Sequence, residues 1–256
     1  MANCTNCGAE LTGPYCSNCG QKKFSSHDLT ISKFLLNFFE DFFKFDSNVL
    51  KTIRYLLFRP GFLSNEYVKG RIASYVKPLK LFVFTCIVVV FLGQYIAKND
   101  YSFPLEEISF FQTKIEQVST EKNMSKDAFT EKFNSNYFSK MPFYFLIIVA
   151  VFTIILTLVF FKQKRVIAEH LIFSLHFFTA CLIFSLVDSI FDKFTDYTYY
   201  LFFFIVPFIY LFLAVKNFYT NKTIRALAAT VFLYIIYSVI QYYWIILTGY
   251  ITLNLI

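Results

Sequence analysis

The sequence predicts an all-α membrane protein: a bundle of about five transmembrane helices with a small N-terminal zinc ribbon and an amphipathic interfacial helix. Three observations predict this class. The 256 residues are 57% hydrophobic and only 16% charged, whereas a soluble globular domain carries about 25% charged residues. Several apolar runs approach the roughly 20 residues that a helix needs to cross a bilayer. Four cysteines stand in two pairs near the N-terminus.

The first segment, residues 1–24, carries the pattern of a metal site. Cys4 and Cys7 form one C-x-x-C pair and Cys16 and Cys19 a second, each followed by glycine. Four thiolates at this spacing suit a tetrahedral Zn²⁺ site, and metal binding would supply the folding energy of a segment too short to bury a core. Two disulfides are one alternative, which needs an oxidising compartment. A redox role is the other, but its C-x-x-C usually sits in a βαβ setting. A site closed by four sulfurs is expected to be structural.

Residues 29–78 are predicted to form amphipathic helices and a basic joint, after a polar hinge at Gln21 to Asp28. Apolar side chains recur at helical spacing from Ile31 to Phe43, so this helix either lies in the membrane interface or packs on the bundle. A second helix, Val49 to Phe58, ends where Arg59, Pro60 and Gly61 break the pattern.

The joint before the first apolar run is rich in basic residues and tyrosines. This composition fits the anionic cytoplasmic leaflet better than a nucleic-acid groove, so membrane lipids are expected partners and nucleic acid is not. The candidate lipid-headgroup collar consists of Tyr67, Lys69, Arg71, Tyr75, Lys77 and Lys80.

Residues 79–256 are predicted to form the five-span bundle. The apolar runs are Leu79 to Ala97, Pro142 to Phe161, His170 to Val187, Tyr199 to Val215 and Ala226 to Thr248. Between the first two lies an outer loop at 98–140, in which helical spacing predicts two short helices that act as a lid or spacer. Ser125 is expected to cap the second, which would run through Phe133.

The charges of the loops predict the orientation. The segment before Leu79 holds ten Lys/Arg against six Asp/Glu, and the loop 162–165 holds three basic residues and no acid. The loop 98–140 holds six Lys and seven acids. Basic loops stay in the cytoplasm, which predicts a cytoplasmic N-terminus and an outward C-terminus. Thiolates also persist in a reducing cytosol, which agrees with this orientation.

Polar residues within the third apolar run form a candidate intramembrane site: Glu169, His170, Ser174, His176 and Asp188. They either face a cavity, where they would move protons or bind a headgroup, or form hydrogen bonds between helices. In the fourth run, Pro207 is expected to kink the helix and expose a carbonyl, and the fifth run has a polar line that includes Tyr234.

Three motifs occur together in this chain: C-x-x-CG…YC-x-x-CGQK, Tyr-Val-x-Gly-Arg…Tyr-x-x-Pro-x-x-Leu-Phe, and EHLIFSLH. With them the chain resembles an uncharacterised bacterial family of inner-membrane proteins with an N-terminal zinc ribbon, a domain-of-unknown-function class. The resemblance extends from Cys4 to about His176 and implies a bacterial inner-membrane protein with no assigned activity. It adds weight to Tyr67, Gly70, Arg71, Tyr75, Pro78, Glu169, His170 and His176.

The favoured function is a non-enzymatic membrane scaffold, whose ribbon binds a cytosolic protein or a second copy of the chain. A small permease or channel with a polar pathway along the third span is the alternative, and a membrane enzyme acting on lipid headgroups is a second. No phosphate-binding loop, Ser-His-Asp order or metallohydrolase motif occurs in the sequence. A cavity beside His170 and Ser174 would favour transport, and a packed stripe would favour the scaffold.

Overall fold

The computed structural model describes residues 2–23, 29–33, 35, 48–97, 111, 117–118, 120, 124–191 and 201–255. These residues are mainly helical. The chain divides into two compact units, Met1–Thr85 with Val149–Ile236, and Cys86–Ile148 with Tyr237–Ile256. Three of the long helices contribute residues to both units.

The first unit begins with two small hairpins. Strands β1 (Ala2–Asn3) and β2 (Glu10–Leu11) pair antiparallel, with Ala2 opposite Leu11. A bridge between Tyr15 and Lys22 closes the second hairpin. Each hairpin carries one C-x-x-C pair at its turn, so the chain presents both cysteine pairs from equivalent positions.

Two short helices follow in the same unit. Helix α1 spans Val49–Phe58, as predicted, and helix α2 spans Phe62–Val68. They are separated at Gly61, whose φ of 81° lies in the left-handed region that side chains disfavour. The amphipathic helix expected from Ile31 to Phe43 lies mostly outside the described residues, of which Ile31, Ser32, Lys33 and Leu35 are helical.

Five further helices carry the apolar runs: α3 (Pro78–Ala97), α4 (Lys126–Val159), α5 (Ile167–Phe191), α6 (Val206–Phe218) and α7 (Thr223–Leu253). Four segments are long and apolar enough to cross a membrane: Lys126–Val159, Ile167–Ser189, Leu201–Phe218 and Thr223–Leu253. The apolar part of α3, Pro78–Leu92, is shorter. The chain is therefore a helical membrane protein, and a fifth crossing by α3 stays a prediction.

In the predicted outer loop at 98–140, the end expected for the second short helix is wrong. Ser125 does cap a helix, because its Oγ accepts a hydrogen bond from the Ala128 amide at 3.3 Å. That helix is α4, which passes Phe133 and Pro142 and ends at Val159. A proline inside a helix removes one backbone hydrogen bond, and the turns on either side of Pro142 stay helical. The first predicted helix of this loop lies mostly outside the described residues.

Aromatic packing holds the first half of α4 in the second unit. The hydrophobic core of the second unit consists of Phe111, Phe129, Phe133, Tyr137, Phe138, Tyr144 and Leu253. Within this unit the Tyr144 hydroxyl lies 3.1 Å from Thr252 Oγ1 on α7. These contacts explain why the segment before Pro142 is an ordered helix rather than a loop.

A π-helical turn, Leu201–Ile205, lies directly before α6. The Phe204 carbonyl in this turn accepts a hydrogen bond from the Tyr234 hydroxyl at 2.8 Å. This turn thus contacts the polar line of the fifth run, and a kink at Pro207 stays a prediction.

Candidate metal centre and its docking loop

The four N-terminal cysteines converge on one point. The Sγ atoms of Cys4, Cys7, Cys16 and Cys19 all lie within 4.8 Å of one another. Cys4 and Cys19 are 3.6 Å apart at sulfur, and Cys7 and Cys16 are 3.5 Å apart. A disulfide bond is about 2.05 Å long, and all four cysteines are free thiols. The cluster can hold a metal ion.

Backbone hydrogen bonds give the two cysteine turns the same geometry. The Gly8 amide donates to the Cys4 carbonyl and the Gly20 amide to the Cys16 carbonyl, each at 2.9 Å. Both glycines have positive φ, 77° and 72°. Only glycine adopts this conformation without strain, which is the structural reason for a glycine after each C-x-x-C pair.

The surroundings of the sulfurs favour thiolates at two positions. The Ala9 amide hydrogen bond lowers the pKa of Cys7 to about 6, and the Cys7 amide lowers the pKa of Cys4. Burial raises the pKa of Cys19 to about 11. Four adjacent thiolates repel one another unless a cation lies between them. Four sulfur donors with no carboxylate suit Zn²⁺ or another thiophilic ion.

Gln21 connects this centre to a loop between α2 and α3, residues 70–74, which we call the docking loop. Its Nε2 donates to the Gly70 carbonyl and to Thr5 Oγ1. Its Oε1 accepts from the amides of Ile72 and Ala73 at 3.1 and 3.0 Å. Gln21 is buried. The prediction of a polar hinge beginning at Gln21 is therefore wrong, because this side chain fixes the ribbon in place.

Two contacts extend the same interface. Thr5 Oγ1 donates to the Gly70 carbonyl at 2.9 Å, and Ser74 Oγ donates to Asn6 Oδ1 at 3.0 Å. Thr5 and Asn6 are the two residues between Cys4 and Cys7. The tip of the first cysteine turn thus contacts the docking loop. The turn that positions Cys4 and Cys7 therefore also fixes the orientation of the ribbon.

The predicted collar residues lie on and around this loop, but they differ in environment. Arg71 forms a bidentate ion pair with Glu66, in which Nε of Arg71 lies 2.6 Å from Oε2 of Glu66. This pairing raises the pKa of the Arg71 guanidinium. Tyr67 is buried, Tyr75 packs edge-on against Tyr55 with ring centres 5.7 Å apart, and Lys69 is exposed. Lys77 and Lys80 are half-buried. A headgroup role for the collar stays a prediction.

The polar residues of α5 are bonded to neighbouring protein groups. His170 Nδ1 lies 2.7 Å from the Tyr219 hydroxyl, and His176 Nδ1 lies 2.9 Å from Ser64 Oγ on α2. Ser174 accepts a hydrogen bond from Thr153 on α4 at 3.0 Å. Both histidines and Ser174 are buried. The stripe is thus packed between helices, and its two histidines have separate partners.

Glu169 belongs to a different contact, at the start of α5. It pairs with Arg165 at 2.6 Å, and the same guanidinium donates to the Phe218 carbonyl at 2.9 Å. Arg165 also lies over the Phe218 ring, 4.4 Å from its centre. Asp188 is half-buried near the other end of α5. The structure therefore divides the predicted intramembrane site among separate places.

A small cavity joins the histidine segment to the joint. It is lined by Leu63, Tyr67, Arg71, Tyr75, Val76 and His176. Its volume of about 10 Å³ is enough for about one water molecule. Sequence reasoning missed three residues that organise this region: Gln21, Ser64 and Arg165. The Gln21 position within the ribbon motif and the i,i+4 spacing of Arg165 and Glu169 offered local signals, whereas the partner of Ser64 is 112 residues away.

Comparison with known proteins gives a partial match. A family profile described as "Protein of unknown function (DUF3667)" matches residues 46–90. This range covers α1, α2, the docking loop and the first part of α3. The joint is thus similar to an uncharacterised domain family, as the sequence motifs suggested. Searches of curated proteins and of solved structures gave no significant match.

Proposed function

We propose that the protein is a non-enzymatic scaffold of the bacterial inner membrane that presents a zinc-loaded ribbon to a protein partner in the cytosol. The observation that carries the proposal is the Gln21 contact. Four hydrogen bonds from one buried side chain hold the ribbon against the docking loop and the first cysteine turn. A ribbon held in one orientation is suited to present a surface, because a partner then binds without ordering a flexible tether.

The chemistry of the ribbon supports a structural metal. Four cysteine sulfurs complete a tetrahedral Zn²⁺ site and leave no position for a substrate or a reactive water. Zinc at this site would connect both cysteine turns, which are otherwise held by two-residue strands and short turns. We therefore assign the metal the task of keeping the ribbon folded on the joint.

The surroundings of α5 favour the scaffold over the two alternatives. His170, Ser174 and His176 are buried and hydrogen-bonded to Tyr219, Thr153 and Ser64. A transport pathway needs polar groups that face a water-filled space. The cavity beside His176 has room for about one water molecule, which is too little for a lipid headgroup.

The proposal can be tested by photo-crosslinking in cells. Tyr15 lies on the ribbon with 59% of its surface exposed, so a photo-reactive phenylalanine analogue at this position should trap a bound protein. We expect a discrete adduct, whose mass identifies either a different protein or a second copy of this chain. The double variant Cys4→Ser/Cys7→Ser should remove the adduct while the protein still inserts in the membrane.

Leu158, an exposed residue of a membrane-spanning helix, is the matched control position for the crosslinker. Zinc analysis of the purified protein should give about one ion per chain. The absence of any ribbon adduct, or an adduct that survives loss of the cysteines, would overturn the proposal. Flux of protons or small solutes through reconstituted protein would favour the permease instead.

A further inference from the structure

Helix α1 has one face that no described part of the chain covers. Leu50 and Phe58 are 82% and 80% exposed. At about 100° per residue, Leu50, Lys51, Arg54 and Phe58 fall within about 100° of arc around the helix. Lys51 and Arg54 are also exposed. The face therefore combines two large apolar side chains with two cations.

The opposite face of α1 is fixed to the membrane-spanning part of the same compact unit. Leu56 and Thr52 are buried. The Leu56 carbonyl accepts a hydrogen bond from the Tyr210 hydroxyl of α6 at 3.0 Å. The next helix is fixed in the same way, through Ser64 and His176. Helix α1 is thus attached to the sides of spanning helices and cannot move away as a free cytosolic segment.

These attachment points lie well inside the spans. The span Leu201–Phe218 has 18 residues, or about 27 Å at 1.5 Å per residue, so nearly its whole length is needed to cross a hydrocarbon core of about 30 Å. Tyr210 is eight residues from the Phe218 end, a distance of about 12 Å. His176 is nine residues from the start of α5, about 13 Å. The residues that α1 and α2 contact therefore lie within the length of the candidate spans and not beyond their ends.

Aromatic rings hold two cations of this segment, Lys51 on the exposed face and Arg59 directly after the end of α1. Lys51 Nζ lies 5.0 Å from the centre of the Tyr75 ring, and the Arg59 guanidinium lies 5.3 Å from that of Tyr55. Within the described residues, no carboxylate forms an ion pair with Lys51, Arg54 or Arg59. Three cations beside apolar anchors are complementary to phosphate groups above acyl chains.

We propose that the exposed face of α1 is a binding surface for anionic phospholipid. Leu50 and Phe58 enter the acyl layer, while Lys51, Arg54 and Arg59 contact headgroup phosphates. The bilayer is the occupant because the opposite face of α1 is fastened to spanning helices within the length of their candidate spans. This surface adjoins the predicted collar at Tyr75, whose ring lies beside Lys51, but it does not use Arg71, which already pairs with Glu66. The proposal is independent of whether the ribbon binds a partner.

Fluorescence in vesicles can test the surface. The chain has a single tryptophan, so Trp244→Phe gives a silent background for Phe58→Trp and, separately, Leu50→Trp. We expect brominated acyl chains to quench both reporters, and brominated phosphatidylglycerol to quench more than brominated phosphatidylcholine in mixed vesicles. Tyr15→Trp on the exposed ribbon is the matched control, which iodide in the water should quench instead.

Replacing Lys51, Arg54 and Arg59 together by glutamine should remove the preference for the anionic lipid while the quenching by acyl chains stays. Having two reporter positions keeps the test valid if one variant is poorly folded. Quenching of both reporters by iodide and not by brominated lipid would overturn the proposal, because α1 would then face water. Protection from both quenchers would also overturn it, because a protein would then cover the face. Equal quenching by both lipids would overturn the proposal that the three cations contact the phosphates of anionic lipid.

Discussion

At the residue scale, the side-chain amide of Gln21 is the contact on which the position of the ribbon depends. At the interface between the ribbon and the docking loop, its Nε2 donates hydrogen bonds and its Oε1 accepts them. A hydrophobic residue of similar size would bury the same surface but leave the Gly70 carbonyl and two amides without this partner. The contact therefore couples the second cysteine pair to the docking loop through a polar group that few residues can replace.

Gln21→Ala should loosen the ribbon without unfolding the bundle. We expect a loss of about 1–2 kcal/mol of docking free energy, because the Gly70 carbonyl is buried and the loop amides are partly exposed. By linkage, zinc affinity should fall by up to about 30-fold, since 1.4 kcal/mol corresponds to a factor of ten. Hydrogen exchange at the Ile72 and Ala73 amides, and competition with a zinc chelator, measure the two effects.

Lys23→Ala is the matched control for this change, because Lys23 is exposed and its backbone amide makes its hydrogen bond to Pro14. It should leave exchange and zinc affinity unchanged. If Gln21→Ala also leaves both unchanged, the amide does not hold the ribbon.

Gly61 gives a second prediction at this scale, for the turn between α1 and α2. Its φ is 81°, and an added Cβ would lie 2.8 Å from the Ala214 carbonyl oxygen on α6. Gly61→Ala therefore combines left-handed strain of about 1–2 kcal/mol with a clash against backbone. We expect a loss of more than about 2 kcal/mol in the free energy of unfolding, measured by denaturation in detergent.

Gly13 provides the control for Gly61, since a Cβ there would meet no atom within 4 Å. Gly13→Ala should change stability by less than about 0.5 kcal/mol, as is usual at the surface. Equal stability of the two variants would show that the α1–α2 turn does not pack closely on α6.

At the element scale, the ribbon is the part whose structure should depend on metal and on pH. The folded site lowers the pKa of Cys7 to about 6 from an ordinary value near 9. A group with a lowered folded pKa contributes stability above its unfolded pKa and loses that contribution as the pH falls through the folded value. Protonation of Cys7 therefore removes this contribution to the stability of the metal-free ribbon as the pH falls from about 9 to about 6.

We expect the ribbon to retain zinc at pH 8 and to release it as the pH falls, because protons compete with the metal for the thiolates. A zinc-sensitive dye follows the release. A strong chelator at pH 8 should remove the exchange protection of the Gly8 and Gly20 amides while the spanning helices stay protected. Cys181→Ser, outside the ribbon, should not shift the release curve. Full ribbon protection after chelation would contradict a metal-dependent fold.

Local chemistry explains which elements the sequence could predict. The cysteine cluster follows from spacing alone, because the ligands and the glycines after them lie within short turns. Helix α1 and the apolar runs follow from periodicity and length. The continuous α4 could not be predicted locally, because Pro142 is a strong local breaker and the apolar contacts that stabilise the helix include residues distant in sequence, such as Leu253. The Gln21 and Ser64 contacts likewise could not be predicted from local sequence, since their partners are 49 and 112 residues away.

At the scale of the whole molecule, the number of crossings decides the topology. Four segments meet the length and hydropathy of a span, and α3 has a shorter apolar part. An odd number of crossings places the two termini on opposite sides of the membrane, and an even number places them on the same side. The basic loops predict a cytoplasmic N-terminus, so the side of the C-terminus shows whether α3 crosses.

Cysteine labelling in intact cells can decide whether α3 crosses the membrane. Asn221 and Asn254 are both exposed, one in the turn between α6 and α7 and the other after α7. With five crossings, a membrane-impermeant maleimide should label Asn254→Cys in intact cells, whereas Asn221→Cys should react only after permeabilisation. The ribbon cysteines should stay silent in intact cells if the ribbon lies in the cytosol, as the basic loops predict. Labelling of Asn221→Cys in intact cells, with Asn254→Cys reacting only after permeabilisation, would contradict five crossings with a cytoplasmic ribbon. Silent ribbon cysteines would then mean that α3 does not cross, and labelled ribbon cysteines would mean that the orientation is inverted.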